Sequence, residues 1–361
     1  MRREVWLGLW AILALGGCSA ASTRLAACKA PADDAGAATA KLAACTTAIK
    51  QGAEGDDLEA ALAQSGEAQL TLSKYDLAIQ AFDKALRLNA HDAVALDGRG
   101  VAYLDAGKSQ QLALADFNAA IRVNPGDGDA FDHRGYLEHD TGDFDAAIVD
   151  ESRAIELEPQ AALPWANRGY DYSGKRWWDF AIADFTDALR RAKDYGFALQ
   201  GRAEAERGKG DAKAAVRDYG DAIAVDPHGD DALADAEAMV ELSPAGDPEA
   251  LNSRCWVRGV LNTELPAALA DCQQSLAARP NSAETLDSLA MVYFRQGRYS
   301  EAVDQYSAAL AADPKQNASL FMRGVAKLRS GDKDGGDADI SAAETVDKGV
   351  AARFAGYGIE P

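Results

Sequence analysis

Residues 283–316 read "AETLDSLAMVYFRQGRYSEAVDQYSAALAADPKQ". The stretch splits into two helices. Leu286, Leu289, Ala290 and Tyr293 share one face of the first. Gly297 breaks it, Tyr299, Ala302, Tyr306 and Ala309 share a face of the second, and Pro314 prevents continuation. Alanines at 290, 302 and 309 allow close approach, and Leu286, Tyr293 and Tyr306 fill the space around them. Neither stripe can be buried alone, so the pair needs a neighbour of its own kind.

Such neighbours recur along the chain. Pairs of the same length cover residues 57–90, 93–127, 128–161, 162–195 and 196–229, then 249–282, 283–316 and 317–350. Pro125, Pro159, Pro227, Pro280 and Pro314 close five of them. The unit at 93–127 has one extra residue, in the turn "GKSQQ". These pairs resemble the tetratricopeptide repeat (TPR), whose period is about 34 residues. The resemblance implies an all-α fold: a helix-turn-helix solenoid, a right-handed superhelix of about eight repeats in two blocks. The expected organisation is residues 57–229 as the first block and 249–350 as the second. Residues 230–248 form a seam with an unpaired or irregular helix stopped by "SPAGDP". Residues 19–56 are a tether with a degenerate helix, and 351–361 cover the end of the last unit.

Residues 1–18 read differently. Arg2 and Arg3 precede an apolar run, Val5 to Leu15, too short to span a bilayer. It reads as a secretory signal and stands outside the fold. It ends in Leu15-Gly16-Gly17-Cys18, which is similar to the bacterial lipobox. That resemblance implies lipidation of Cys18, with Ser19 directing the protein to the outer membrane. The alternative is an ordinary signal cut after Ala20 or Ala21. The expected location is the periplasmic side of the cell envelope, with membrane attachment only through the lipid.

Five cysteines are present. With Cys18 lipidated, Cys28, Cys45, Cys255 and Cys272 remain, and both members of each successive couple stand 17 residues apart. In the repeat's register, Cys255 and Cys272 fall on facing sides of one helix pair, and Cys28 and Cys45 match them in a degenerate first unit. Two disulfides, Cys28–Cys45 and Cys255–Cys272, are expected in an oxidising compartment; buried free thiols are the alternative.

The net charge of -20 and pI near 4.6 exclude a nucleic-acid backbone as partner. Catalysis finds no motif. The four histidines, His91, His133, His139 and His228, lack metal-ligand spacing, "NPGDGDAFD" lacks the order of a calcium loop, and "GRG" follows no strand. No cofactor is expected, and no oligomeric state is assigned.

One recurrence is not demanded by the TPR pattern. Six units carry an arginine in the first helix and an aspartate in the second: Arg99/Asp116, Arg134/Asp150, Arg168/Asp184, Arg202/Asp218, Arg254/Asp271 and Arg323/Asp339. They are expected to pair within a unit or to the next; the alternative is that both are solvated on separate faces.

By the resemblance, the concave groove is lined by Asp129, Asp132, Tyr136 and His139, then Ala166, Tyr170 and Ser173, then Gln200 and Glu204. The second block adds Asp287, Met291, Phe294, Phe321, Val325 and Leu328. An acidic, aromatic early groove and an apolar later one suit another protein or extended peptide with basic and apolar residues. The implied function is a non-enzymatic envelope scaffold. The alternatives are a lipoprotein of pilus or outer-membrane biogenesis, a regulatory subunit of a cell-wall enzyme, and a plain spacer.

Overall fold

The computed structural model describes residues 26–32 and 34–361, so Cys18 and the expected signal lie outside the described residues. The described residues form two compact units, one up to Asp171 and one from Tyr172 onward. The described residues form α-helices joined by short turns, with no strand among them.

The first unit holds α1 (Ala35–Lys50), α2 (Gly55–Thr71), α3 (Tyr75–Leu88), α4 (Ala93–Asp105), α5 (Gln110–Val123), α6 (Gly128–Asp140) and α7 (Phe144–Leu157). Helix α8 (Leu163–Gly174) carries the boundary. The second unit holds α9 (Trp178–Arg191), α10 (Gly196–Lys209), α11 (Ala212–Val225), α12 (Ala232–Leu242), α13 (Pro248–Val260) and α14 (Leu265–Ala278). It continues with α15 (Ala283–Arg295), α16 (Tyr299–Ala312), α17 (Asn317–Ser330), α18 (Lys333–Val346) and α19 (Val350–Gly356).

Local chemistry sets these limits. Asp92, Ser109, Asp143, Asp211, Asp247, Ser282 and Asp332 each accept a hydrogen bond from a backbone N–H in the following first turn. The turn inside a pair needs one left-handed residue. Gly107, Gly142, Gly210, Gly297 and Gly331 supply it, while Ser73, Arg176 and Asn262 adopt positive φ at the corresponding place.

Within each unit, consecutive helices pack on one another, and first helices also touch the next first helix, as α2 does α4 and α13 does α15. The core is made of alanines around large side chains: Phe82 and Phe117 in the first unit, Phe185, Tyr219 and Tyr306 in the second, all fully buried. The close approach is quantitative. A Cβ on Gly100 would stand 2.5 Å from the Phe117 ring, so that ring fits only against glycine.

One expectation is corrected here. Helix α12, within the 230–248 seam, is not unpaired: it packs on α11 and α13. Ala232, Ala236 and Met239 share one core with Tyr219 and Ile223 on one side and Ala250 and Val257 on the other. Its apolar face is two-sided, which a one-stripe reading does not detect. The last segment packs on α17 and α18. Val350, Phe354 and Ile359 are buried in the same cluster as Met291, Phe321 and Val325.

Candidate functional site

The arginines and aspartates meet. Nε and Nη2 of Arg99 donate to Asp116 at 2.7 and 2.8 Å. Arg134 holds Asp150 in the same way, Arg254 holds Asp271, and Arg323 holds Asp339. Arg202 Nε donates to Asp218. The third nitrogen reaches back one repeat. Nη1 donates to Asp83 from Arg99, to Asn118 from Arg134, to Ser152 from Arg168 and to Thr186 from Arg202. One guanidinium thus ties two helices of its own pair and the second helix of the pair before. These are fixtures of the stack, with the aspartates nearly buried, and they leave no free charge for a ligand.

The first unit's expected groove residues divide by exposure. Asp129 and Tyr136 are exposed, Tyr136 by 56%. His139 is half-buried, and its Nδ1 lies 2.7 Å from Asp171. Tyr170 is half-buried. Asp132 does not line open space, which corrects the reading of its face: it is buried and accepts a hydrogen bond from Asn167 Nδ2 at 3.0 Å. A parallel link joins His133 Nδ1 to Asp97 at 3.0 Å. Burial opposes the His133 charge, but the Asp97 carboxylate outweighs it and raises the imidazole to about 9.

Glu151 was missed on the sequence. Phe117, Glu151, Phe185 and Tyr219 follow one another at intervals of 34, so a carboxylate occupies the aromatic core position. It is fully buried, and a Cβ on Gly135 would stand 2.8 Å from its Oε1. Burial and the adjacent Asp132 carboxylate push its carboxyl up to about 12. Burial thus favours the neutral form of the Glu151 carboxyl, whose two oxygens meet no hydrogen-bond partner. The 34-residue spacing was the available signal.

Beside this acidic line lies a cleft of about 640 Å³. Tyr103, Leu104, Tyr136 and Leu137 give it apolar walls, and Asp105, Gln110 and Asp140 its polar rim. The turn with the extra residue forms one side: Gln110 Nε2 bridges to Asp140 at 2.6 Å, and Lys108 pairs with Asp76. Burial raises the Asp105 carboxyl above its usual range.

In the second unit, Gln200 Nε2 donates to Asp235 at 3.4 Å, and burial pushes that carboxyl up to about 7. Glu204 is exposed and accepts from the Tyr219 hydroxyl. Asp287 accepts from Ser319 Oγ, and burial raises it to about 6. Phe294 is half-buried against Tyr299. Met291 and Phe321 are corrected: both are fully buried in one cluster, and Phe354 stacks on Phe321 at 5.4 Å. What remains open on this face is a hollow of about 330 Å³ lined by Asn252, Trp256, Asp287 and Ser319.

The cysteines pair as expected, Cys28 with Cys45 and Cys255 with Cys272, all four fully buried. Trp177 is 46% exposed and stacked on Tyr172, while the Trp178 ring is held against Gly208. Among the described residues, no group of three or more His, Cys, Asp or Glu is placed to hold a metal ion, and no helix is long and apolar enough to cross a membrane.

Known proteins match in parts. The family profile described as tetratricopeptide repeat matches residues 63–111, 98–162 and 288–336. Serine/threonine-protein phosphatase 5 from Homo sapiens is 36% identical over 90 residues, which is 25% of this chain and 18% of that protein. The chain thus spans well under two thirds of that relative. MamA from Desulfovibrio magneticus is 16% identical with a TM-score of 0.43, over 48% of this chain and 97% of that one. The C-terminal part of a TPR repeat-containing protein from Cytophaga hutchinsonii is 17% identical with a TM-score of 0.46, over 75% and 98%. The matched segments fall in both units, and the chain carries tetratricopeptide repeats in each.

Proposed function

We propose that the protein is a non-catalytic scaffold that binds another protein through the first unit's acidic face. The observation that carries this is the placement of Tyr136. It stands exposed, two helical turns from Asp129, and walls the cleft with Tyr103 and Leu137, while Asp132 and Asp171 nearby are engaged by Asn167 and His139. An extended segment with a basic residue near Asp129 and an aromatic or aliphatic residue in the cleft fits that arrangement. The basic residue supplies charge complementarity that speeds encounter, and the apolar residue supplies affinity.

The envelope location belongs to the same proposal. The two disulfides, one in each unit, support an exported protein. Cys18 is the proposed lipid attachment, and labelled palmitate with a Cys18→Ala control tests it. For the face itself, fluorescence anisotropy with a basic aromatic peptide and its acidic counterpart is the measurement. Binding of the basic peptide should weaken with salt. It should fall at least tenfold in Asp129→Lys/Tyr136→Ala. Equal binding of both peptides, or no effect of the double substitution, overturns the proposal.

A further inference from the structure

Part of the second unit's expected concave face is covered by the chain itself, at Phe321 and Arg295. The last described stretch reads "VAARFAGYGIEP" from Val350. A terminal cover needs to touch only α17 and α18. This segment reaches further. Phe354 stacks on Phe321 of α17, and Ile359 is buried in the cluster that contains Met291 of α15. Arg295 at the end of α15 donates through Nη2 to the Tyr357 carbonyl at 2.6 Å, while the same guanidinium holds the Gly259 and Val260 carbonyls of α13. The Tyr357 ring lies edge-on to His228, in the turn between α11 and α12. Arg329 donates to the Glu360 carbonyl at 2.9 Å.

Four features are those of a bound peptide. Its side chains serve one cluster: Val350, Phe354 and Tyr357 at helical spacing along one side, then Ile359 after Gly358 turns the chain at φ 69°. Two arginines of the face take its backbone carbonyls. A helix of seven residues is too short to persist on its own, so the groove gives α19 its shape. Its link to α18 is only three residues long, so the segment stays beside the face it contacts.

We infer that the second unit's concave face is a peptide-binding groove occupied in cis by Val350–Ile359, and that a partner segment of the same chemistry enters by displacing it. That chemistry is an aliphatic residue, an aromatic four positions on, a second aromatic three further and an aliphatic two beyond, with no charge among the four. The inference rests on the reading that these concave faces bind protein segments, but it concerns a different unit. A ligand on a short link keeps a high effective concentration, so the free groove is a minor state and the apparent affinity for an outside segment falls by its fraction.

The probe is a fluorescent peptide with the sequence of residues 348–361, added to the full chain. Wild type should bind it weakly. Phe354→Ala/Tyr357→Ala, which loosens the internal segment, should bind it at least tenfold more tightly. Adding Phe321→Ala should remove that gain, and a scrambled peptide should not bind. If the double variant binds no better than wild type, or the scrambled peptide binds equally, the inference fails. Hydrogen exchange on wild type is the second measurement. Amides 354–359 should exchange faster than those of α15 and α17. Exchange only with those helices makes the segment a fixed cap and overturns the inference. Basic-peptide binding at Asp129 and Tyr136, measured on the same samples, is expected unchanged; its presence or loss separates failure of this inference from failure of the general reading.

Discussion

Arg134 grips Asp150 with two parallel hydrogen bonds, Nε to Oδ2 at 2.5 Å and Nη2 to Oδ1 at 2.6 Å. The Asp150 side chain is 4% exposed, so removing the arginine strands a carboxylate away from water. Arg134→Ala should cost about 2–4 kcal/mol in urea unfolding, and Asp150→Asn less, because the amide keeps the shape without the charge. Arg153→Ala removes an exposed pair with Glu156 and should cost about 0–0.5 kcal/mol. Equal losses at Arg134 and Arg153 would show that the ladder does not hold the stack.

Glu151 gives the first unit a pH dependence of defined sign. Its folded carboxyl is raised to about 12 from 4.5. Above 4.5 the unfolded chain releases this proton and the folded chain keeps it. Stability attached to this group is therefore full below 4.5 and declines as pH rises toward 12. Glu151→Gln removes the decline. Melting temperatures from pH 5 to 9 should fall for wild type and stay flatter for the variant, with the variant the more stable at the upper end. Parallel curves refute the assignment.

Each disulfide closes a loop with a sequence separation of 17. By chain entropy such a link contributes about 3 kcal/mol. Cys255→Ala/Cys272→Ala should lower the melting temperature of the second unit, which packs Leu289 and Val292 on this pair. Reductant should lower the melting temperature of wild type and leave the change at that pair absent in the double variant. The same shift in both would place the effect elsewhere.

Helices α17 and α18 touch backbone to backbone. A Cβ on Gly324 would stand 2.8 Å from Ile340 Cγ1 and 2.9 Å from the Gly336 carbonyl oxygen. Gly324→Ala should cost about 1–3 kcal/mol by overpacking. At Gly356 a Cβ meets nothing within 4 Å, and Gly356→Ala should be neutral or stabilising. Thermal denaturation of the two variants decides, and a neutral Gly324→Ala would mean the helices can part without cost.

The helix pairs were legible because period, turn residue and closing proline are local. The arginine–aspartate and cysteine pairs were legible because repetition converts a spacing into a direction in space: what faces inward in one pair does so in the next. Glu151 was legible in principle by the same rule, as the one carboxylate in the aromatic series Phe117, Phe185 and Tyr219.

The two-sided packing of α12, the burial of Met291 and Phe321, and the engagement of Asp132 were not legible. Each depends on contacts across distance, and period alone assigns a face without saying what covers it. The sequence by itself determined the repeating pair, the caps that bound it and the residues that lock neighbours together, since these interactions span at most one period. Only the tertiary structure decided which concave positions stay open. Phe354 reaches Phe321, and Tyr357 reaches Arg295 and His228, once the stacked helices have brought distant turns onto one face.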